Sequence, residues 1–114
     1  MKNIIVKKIY YCPFKSLSFN EVKSAKIIHD VGIKNDRYLA FTRGLNKKES
    51  IEFNKSKLRN LNSFLTLRNS PYLKKYNFIF NEKNNSIKIN YKKKNLIEAN
   101  IHNTNQVIKI QEFI

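Results

Sequence analysis

Lys15, Ser16 and Arg37 are the residues of this 114-residue chain best suited to chemistry. The lysine and serine sit in Tyr10-Tyr11-Cys12-Pro13-Phe14-Lys15-Ser16-Leu17, where a short apolar strand runs into a proline. The arginine belongs to Gly32-Ile33-Lys34-Asn35-Asp36-Arg37-Tyr38, a turn that leads into a second apolar run. An ammonium, a hydroxyl and a guanidinium fork at the ends of two strands form a set able to hold a phosphorylated ligand. Asp36, immediately before Arg37, suits capping of the turn or orientation of a basic neighbour.

Other chemistry is sparse. His29 and His102 are far apart in sequence, and no Cys, His or carboxylate cluster has metal-ligand spacing. Cys12 reads as a small apolar filler, since a nucleophilic thiolate needs an adjacent base or a helix N-terminus. No paired carboxylates and no glycine-rich phosphate loop stand out. Lys92-Lys93-Lys94 falls in a turn between strands. Tyr76, Phe78, Phe80 and Tyr91 on the neighbouring strands could form a stacking platform for single-stranded nucleic acid, or equally an ordinary core.

The elements that must position these residues are mainly strands. Residues 3–11 read as a strand ended by Pro13, because proline has no N–H for a ladder. Residues 22–29 and 36–43 read as two more, the last with Arg37, Leu39, Phe41 and Arg43 on one face. Residues 44–63 are a polar excursion with one short helix, Ile51, Leu58 and Leu61 falling at loosely helical spacing. Residues 64–68 form a short strand. The clearest alternation follows in residues 75–81 and 86–92, a hairpin, with a further strand over 96–101. Asn103 or Thr104 then caps a helix with Val107, Ile110, Phe113 and Ile114 on one side. The expected fold is mainly β, an antiparallel barrel or meander with a short helical excursion and the start of a C-terminal helix.

Composition sets the frame. The chain is one small domain with 41% hydrophobic and 12% aromatic residues, enough for a single core. The net charge of +15 attracts anions. Lysine far outnumbers arginine, which occurs only at positions 37, 43, 59 and 68, and the joint excess of Lys, Asn and Ile points to coding bias as the main source of the charge. A single cysteine excludes an intramolecular disulfide and fits a reducing compartment. No apolar run approaches membrane-spanning length and no signal peptide is visible, so a cytoplasmic protein without a membrane partner is expected.

Three segments together resemble the N-terminal β-barrel domain of MOSC proteins, the family built around the C-terminal domain of molybdenum-cofactor sulfurases and including the mitochondrial amidoxime-reducing component. They are Tyr11-Cys12-Pro13-Phe14-Lys15-Ser16, Gly32-Ile33-Lys34-Asn35-Asp36-Arg37-Tyr38 and Phe64-Leu65-Thr66-Leu67-Arg68-Asn69-Ser70-Pro71-Tyr72-Leu73. The resemblance spans roughly residues 3–101. It implies that 1–102 form the barrel domain and that 103–114 begin a helix leading to a missing MOSC domain. It implies molybdenum cofactor (molybdopterin) bound between the two domains, with Lys15, Ser16 and Arg37 as contacts. Arg68 matches another family arginine, with a supporting role. The complete protein would be an oxidoreductase or a sulfur carrier with a redox partner protein, and this chain alone would be inactive. The family's molybdenum-ligating cysteine belongs to the second domain, and Cys12 does not match it. Nucleic acid is the less favoured partner, kept as the alternative of a small basic barrel binding single strands.

Overall fold

A computed structural model describes residues 3–43, 47–55 and 63–114. In chain order its strands are β1 (Ile9–Tyr11), β2 (Asn20–Val22), β3 (Ile27–Ile28), β4 (Gly32–Ile33), β5 (Tyr76–Asn81), β6 (Ser86–Tyr91) and β7 (Lys94–Asn100). The helices are α1 (Lys47–Lys55) and α2 (Thr104–Phe113). The molecule is mainly β, as the sequence implies. All strand pairs are antiparallel, in three separate sheets: β1-β2, β3-β4 and β5-β6-β7. The expected barrel is not seen, because none of these sheets closes on itself among the described residues.

The meander is where alternation dictated it. Phe78 and Phe80 face Ile89 and Ile87 across the β5-β6 pair, and Ile97 and Ala99 continue the same face on β7. These side chains form the core with Phe14, Leu17, Leu73 and Ile110. Phe14, Phe41 and Phe78 make a cluster of three rings with centroids 5.7–5.8 Å apart. Burying each such ring contributes about 1.5–3 kcal/mol. Helix α2 begins where its cap was expected: the Asn103 side chain accepts from the Gln106 N–H at 3.2 Å. It packs on β7 and delivers Ile110 into the same core.

The N-terminal half departs from the expected strands. Of residues 3–11 only Ile9–Tyr11 is strand, and Ile4, Ile5 and Val6 are exposed. The run 22–29 contributes the ends of two separate hairpins, β2 and β3. The run 36–43 is no strand: Asp36 and Arg37 are in a turn, and Leu39 and Thr42 make single bridges to Phe14 and Phe64. The run 64–68 is likewise one bridge followed by a turn. Leu39 and Phe41 nevertheless point into the core, as alternation requires. Backbone bonds to residues 12–15 and between residues 41–43 and 63–65 replace the missing ladder there, and elsewhere side-chain polar groups take backbone partners. Within 44–63, α1 is the expected short helix, and Leu58 and Leu61 lie outside the described residues.

The outer edge of β5 shows this substitution best. Ser18 Oγ accepts from Phe78 N–H at 3.0 Å, and Asn20 Oδ1 accepts from Phe80 N–H at 3.1 Å. The Asn20 amide donates to Phe78 O at 2.9 Å. Two side chains thus satisfy backbone groups that a neighbouring strand would otherwise take.

Candidate functional site

Phe14 anchors the Lys15-Ser16 turn. Its side chain is fully buried, and Pro13 beside it is equally enclosed. The core therefore fixes the backbone just before the two polar residues, and Leu17, again buried, fixes it just after. Between these anchors the chain must turn tightly. Leu17 N–H donates to Phe14 O at 3.2 Å, and Ser16 adopts a left-handed φ of 60°.

The second turn is built on the first. Arg37 N–H donates to Cys12 O at 2.6 Å and Leu39 N–H to Pro13 O at 2.8 Å. Lys15 N–H donates back to Leu39 O at 2.8 Å. The Asp36 carboxylate completes the join: Oδ1 accepts from Cys12 N–H at 2.8 Å, and Oδ2 accepts from the Arg37 guanidinium. Asp36 thus clamps the two turns together and orients Arg37. The sequence suggested both kinds of role, but not that the backbone group held would be Cys12 in the other turn.

The three candidate residues are brought onto adjoining turns. Lys15 is half-buried, with Nζ 5.3 Å from the centre of the Phe64 ring, within the range of a cation–π attraction. Ser16 is exposed. The Arg37 side chain is 65% exposed, which leaves guanidinium donors beyond the one held by Asp36 open to solvent. Phe64 is a participant that sequence reasoning missed, since nothing local marks it as the ring beneath Lys15. It is placed by the Leu65 N–H to Phe41 O bond at 2.7 Å and the Thr42 bridge. Arg68 sits exposed on the turn beyond it, which Asn69 closes by donating to Phe64 O at 2.8 Å. The three sequence segments, distant along the chain, therefore meet at one place.

Backbone conformation marks the same residues. Among described non-glycine residues, positive φ occurs at Ser16, Asp30, Asn35, Arg37, Asn85, Lys92 and Lys93. Asp and Asn take this region readily because their short side chains bond locally. Serine, arginine and lysine have no such compensation. Ser16 and Arg37, at 60° and 53°, are thus held in a disfavoured conformation by the surrounding bonds.

An ammonium, a guanidinium and a hydroxyl on adjoining turns suit an anion. Cys12 is buried and its thiol donates to Phe14 O at 2.9 Å. Among the described residues no group of three His, Cys, Asp or Glu side chains could hold a metal ion. His29 is fully displayed at the tip of the β3-β4 hairpin, 3.0 Å from the Asp30 carboxylate. Burial, with a smaller contribution from Glu82, pushes the Tyr11 phenol up to about 12. Its hydroxyl lies 3.5 Å from Phe80 O, on the sheet rather than at the turns. Of the four aromatics that suit either a stacking platform or a core, Phe78 and Phe80 are core residues. No helix among the described residues is long and apolar enough to cross a membrane.

No family model, curated protein or solved structure matches this chain.

Proposed function

We propose that this chain supplies the anion-holding part of a molybdenum-cofactor site of the MOSC kind. The observation that supports the reading is the stitching of the Lys15-Ser16 turn to the Asp36-Arg37 turn by backbone bonds and by the Asp36 carboxylate. Lys15 and Arg37 would neutralise the phosphate of molybdopterin, and the Ser16 hydroxyl would donate to one of its oxygens. Asp36 would keep the Arg37 fork aligned. When bound, the cofactor supplies redox or sulfur-transfer chemistry, and this chain supplies binding and orientation. A thiolate ligand for molybdenum would come from a second, MOSC domain, because Cys12 is enclosed and engaged.

Binding of anaerobically released molybdopterin to the chain tests the proposal, followed by pterin fluorescence. Lys15→Ala and Arg37→Ala are each expected to weaken binding about tenfold or more, the loss of one charge-assisted contact at 1.5–3 kcal/mol. Inorganic phosphate should compete. Unchanged binding in both variants, with far-ultraviolet circular dichroism intact, would sink the proposal. The chain alone should show no turnover of N-hydroxylated substrates, and turnover would refute the division of labour between two domains.

A further inference from the structure

The Lys92–Lys94 run is not part of the Lys15 and Arg37 site. It lies at the Tyr76 end of β5, whereas Arg37 precedes a residue that packs at the Phe80 end. Arg37 is followed by Tyr38, whose ring is 6.0 Å from Phe80. The lysine run joins β6 to β7 beside Tyr91, and Tyr91 pairs with Tyr76 at the start of β5. Phe80 and Tyr76 are separated by four residues, about 13 Å of extended strand.

Charge and aromatic surface come together at this end. The Tyr76 and Tyr91 rings are 6.1 Å apart, and Phe113 of α2 adds a third ring 5.6 Å from Tyr76. Lys75 Nζ lies 5.0 Å from the centre of the Tyr76 ring and Lys92 Nζ 5.4 Å from that of Tyr91. Tyr72, Tyr91 and Phe113 are 54%, 37% and 38% exposed. Residues 72–76 and 91–94 hold five lysines and no carboxylate.

The turn carrying the lysines is strained. Lys92 and Lys93 are the two central residues of a two-residue hairpin loop, with φ of 47° and 65°. Such a loop needs left-handed conformations at both positions, which asparagine followed by glycine adopts easily. At the Asn35 and Asn85 turns this chain uses asparagine for the purpose. Here it uses lysine twice, keeping charge where conformation disfavours it. Residues held in such regions cluster at functional sites.

We infer that this sheet end, with Lys75, Tyr76, Tyr91, Lys92, Lys93 and Phe113, is a contact surface for single-stranded nucleic acid. Ammonium groups beside partly exposed rings match a strand in which each phosphodiester adjoins an unstacked base. An anionic membrane would also take lysines beside aromatic rings, so vesicle binding is measured alongside the oligonucleotide. The aromatic surface is thus not the Phe78 and Phe80 face but the end of the same strands.

Fluorescence anisotropy of a labelled oligothymidylate of about 12 nucleotides, spanning one small-domain site, tests the inference on the full chain over a salt series. The triple variant Lys92→Gln, Lys93→Gln, Lys94→Gln is expected to flatten the slope of log K against log salt by about 2, since each single-strand phosphate contact contributes about 0.7. Tyr91→Ala is expected to lower affinity about tenfold, in line with the loss of one stacked base. A duplex of equal length should bind less tightly. As a control of equal charge, Lys7→Gln, Lys8→Gln, Lys23→Gln changes exposed lysines elsewhere and should leave Tyr91-dependent binding in place. An equal slope change in the control, no effect of Tyr91→Ala, or binding to phosphatidylserine vesicles without binding to the oligonucleotide would each overturn the inference. Molybdopterin binding should be insensitive to all these substitutions, so the two sites can fail separately.

Discussion

In the variant Lys93→Gly the hairpin between β6 and β7 is expected to gain stability. Lys93 has φ of 65° and Lys92 of 47°. A left-handed conformation costs a residue with a Cβ about 1–2 kcal/mol. Glycine removes that cost but gives up roughly 0.4–1 kcal/mol through its freer unfolded chain. The net gain is about 0.5–1 kcal/mol. Lys92→Asn added to it should bring the total to about 1–1.5 kcal/mol, since asparagine tolerates the region. With a urea dependence of about 1–2 kcal/mol per molar, the midpoint of the double variant rises by roughly 0.5–1.5 M. The slope stays unchanged, because no surface is newly exposed. Lys88→Gly, in the middle of β6, is the control. It places glycine in a regular strand and should lower stability by about 0.5–1 kcal/mol. Urea melts of the parent and the three variants decide the matter. A fall in midpoint for Lys93→Gly, or a rise for Lys88→Gly, refutes the assignment of strain to the turn. The stabilised variants should also bind oligonucleotide less well, because each lacks one or two of the lysines on that surface.

Asn20→Ala removes the acceptor of Phe80 N–H and the donor to Phe78 O at the β5 edge, so thermal denaturation should show a loss of about 1–3 kcal/mol. Asn20→Asp keeps the acceptor but turns a carboxylate oxygen toward Phe78 O, and the same melts should place it no higher than the alanine variant. Alkaline titration monitored at the tyrosinate band should show a late step near 12 that Tyr11→Phe removes. Because the folded value lies above the ordinary 10.0, the stability tied to the neutral phenol is complete below pH 10 and is lost as pH rises toward 12. Asn103→Ala should lower stability by about 1 kcal/mol in urea melts through loss of the α2 cap.

The C-terminal half was legible in the sequence because its order is local. Period-two alternation in residues 76–91 and a capped apolar face from Asn103 each encode their element within a few residues. The N-terminal half was less legible because its pairing depends on side chains from far away. Asn20 and Ser18 serve a strand about 60 residues later, and no window of sequence displays that. The run 36–43 looked like a strand because Leu39 and Phe41 alternate correctly, yet Asp36 draws the backbone into a turn by binding Cys12 N–H. Lys15, Ser16 and Arg37 were recognisable by type and spacing. The ring beneath Lys15, Phe64, was not, since its position follows from Phe41 and Thr42.

Finishing the β5 edge with amide and hydroxyl side chains has a bearing on how these molecules behave toward one another. An exposed edge is a template on which a second chain can add a strand, the route to aggregation. On β5 the outward groups of Phe78 and the Phe80 N–H are already taken. On the far side of the sheet, β7 is offset by a bulge opposite Ile89 and Asn90, and Gln106 occupies the Asn100 N–H. The β5 flank is thereby closed at Phe78 and Phe80, and the β7 flank is irregular and partly occupied. A further hazard is Ile4-Ile5-Val6, an exposed β-prone run. Lys7 and Lys8 follow it directly and act as gatekeepers, so copies that approach through this segment meet like charge before they can pair.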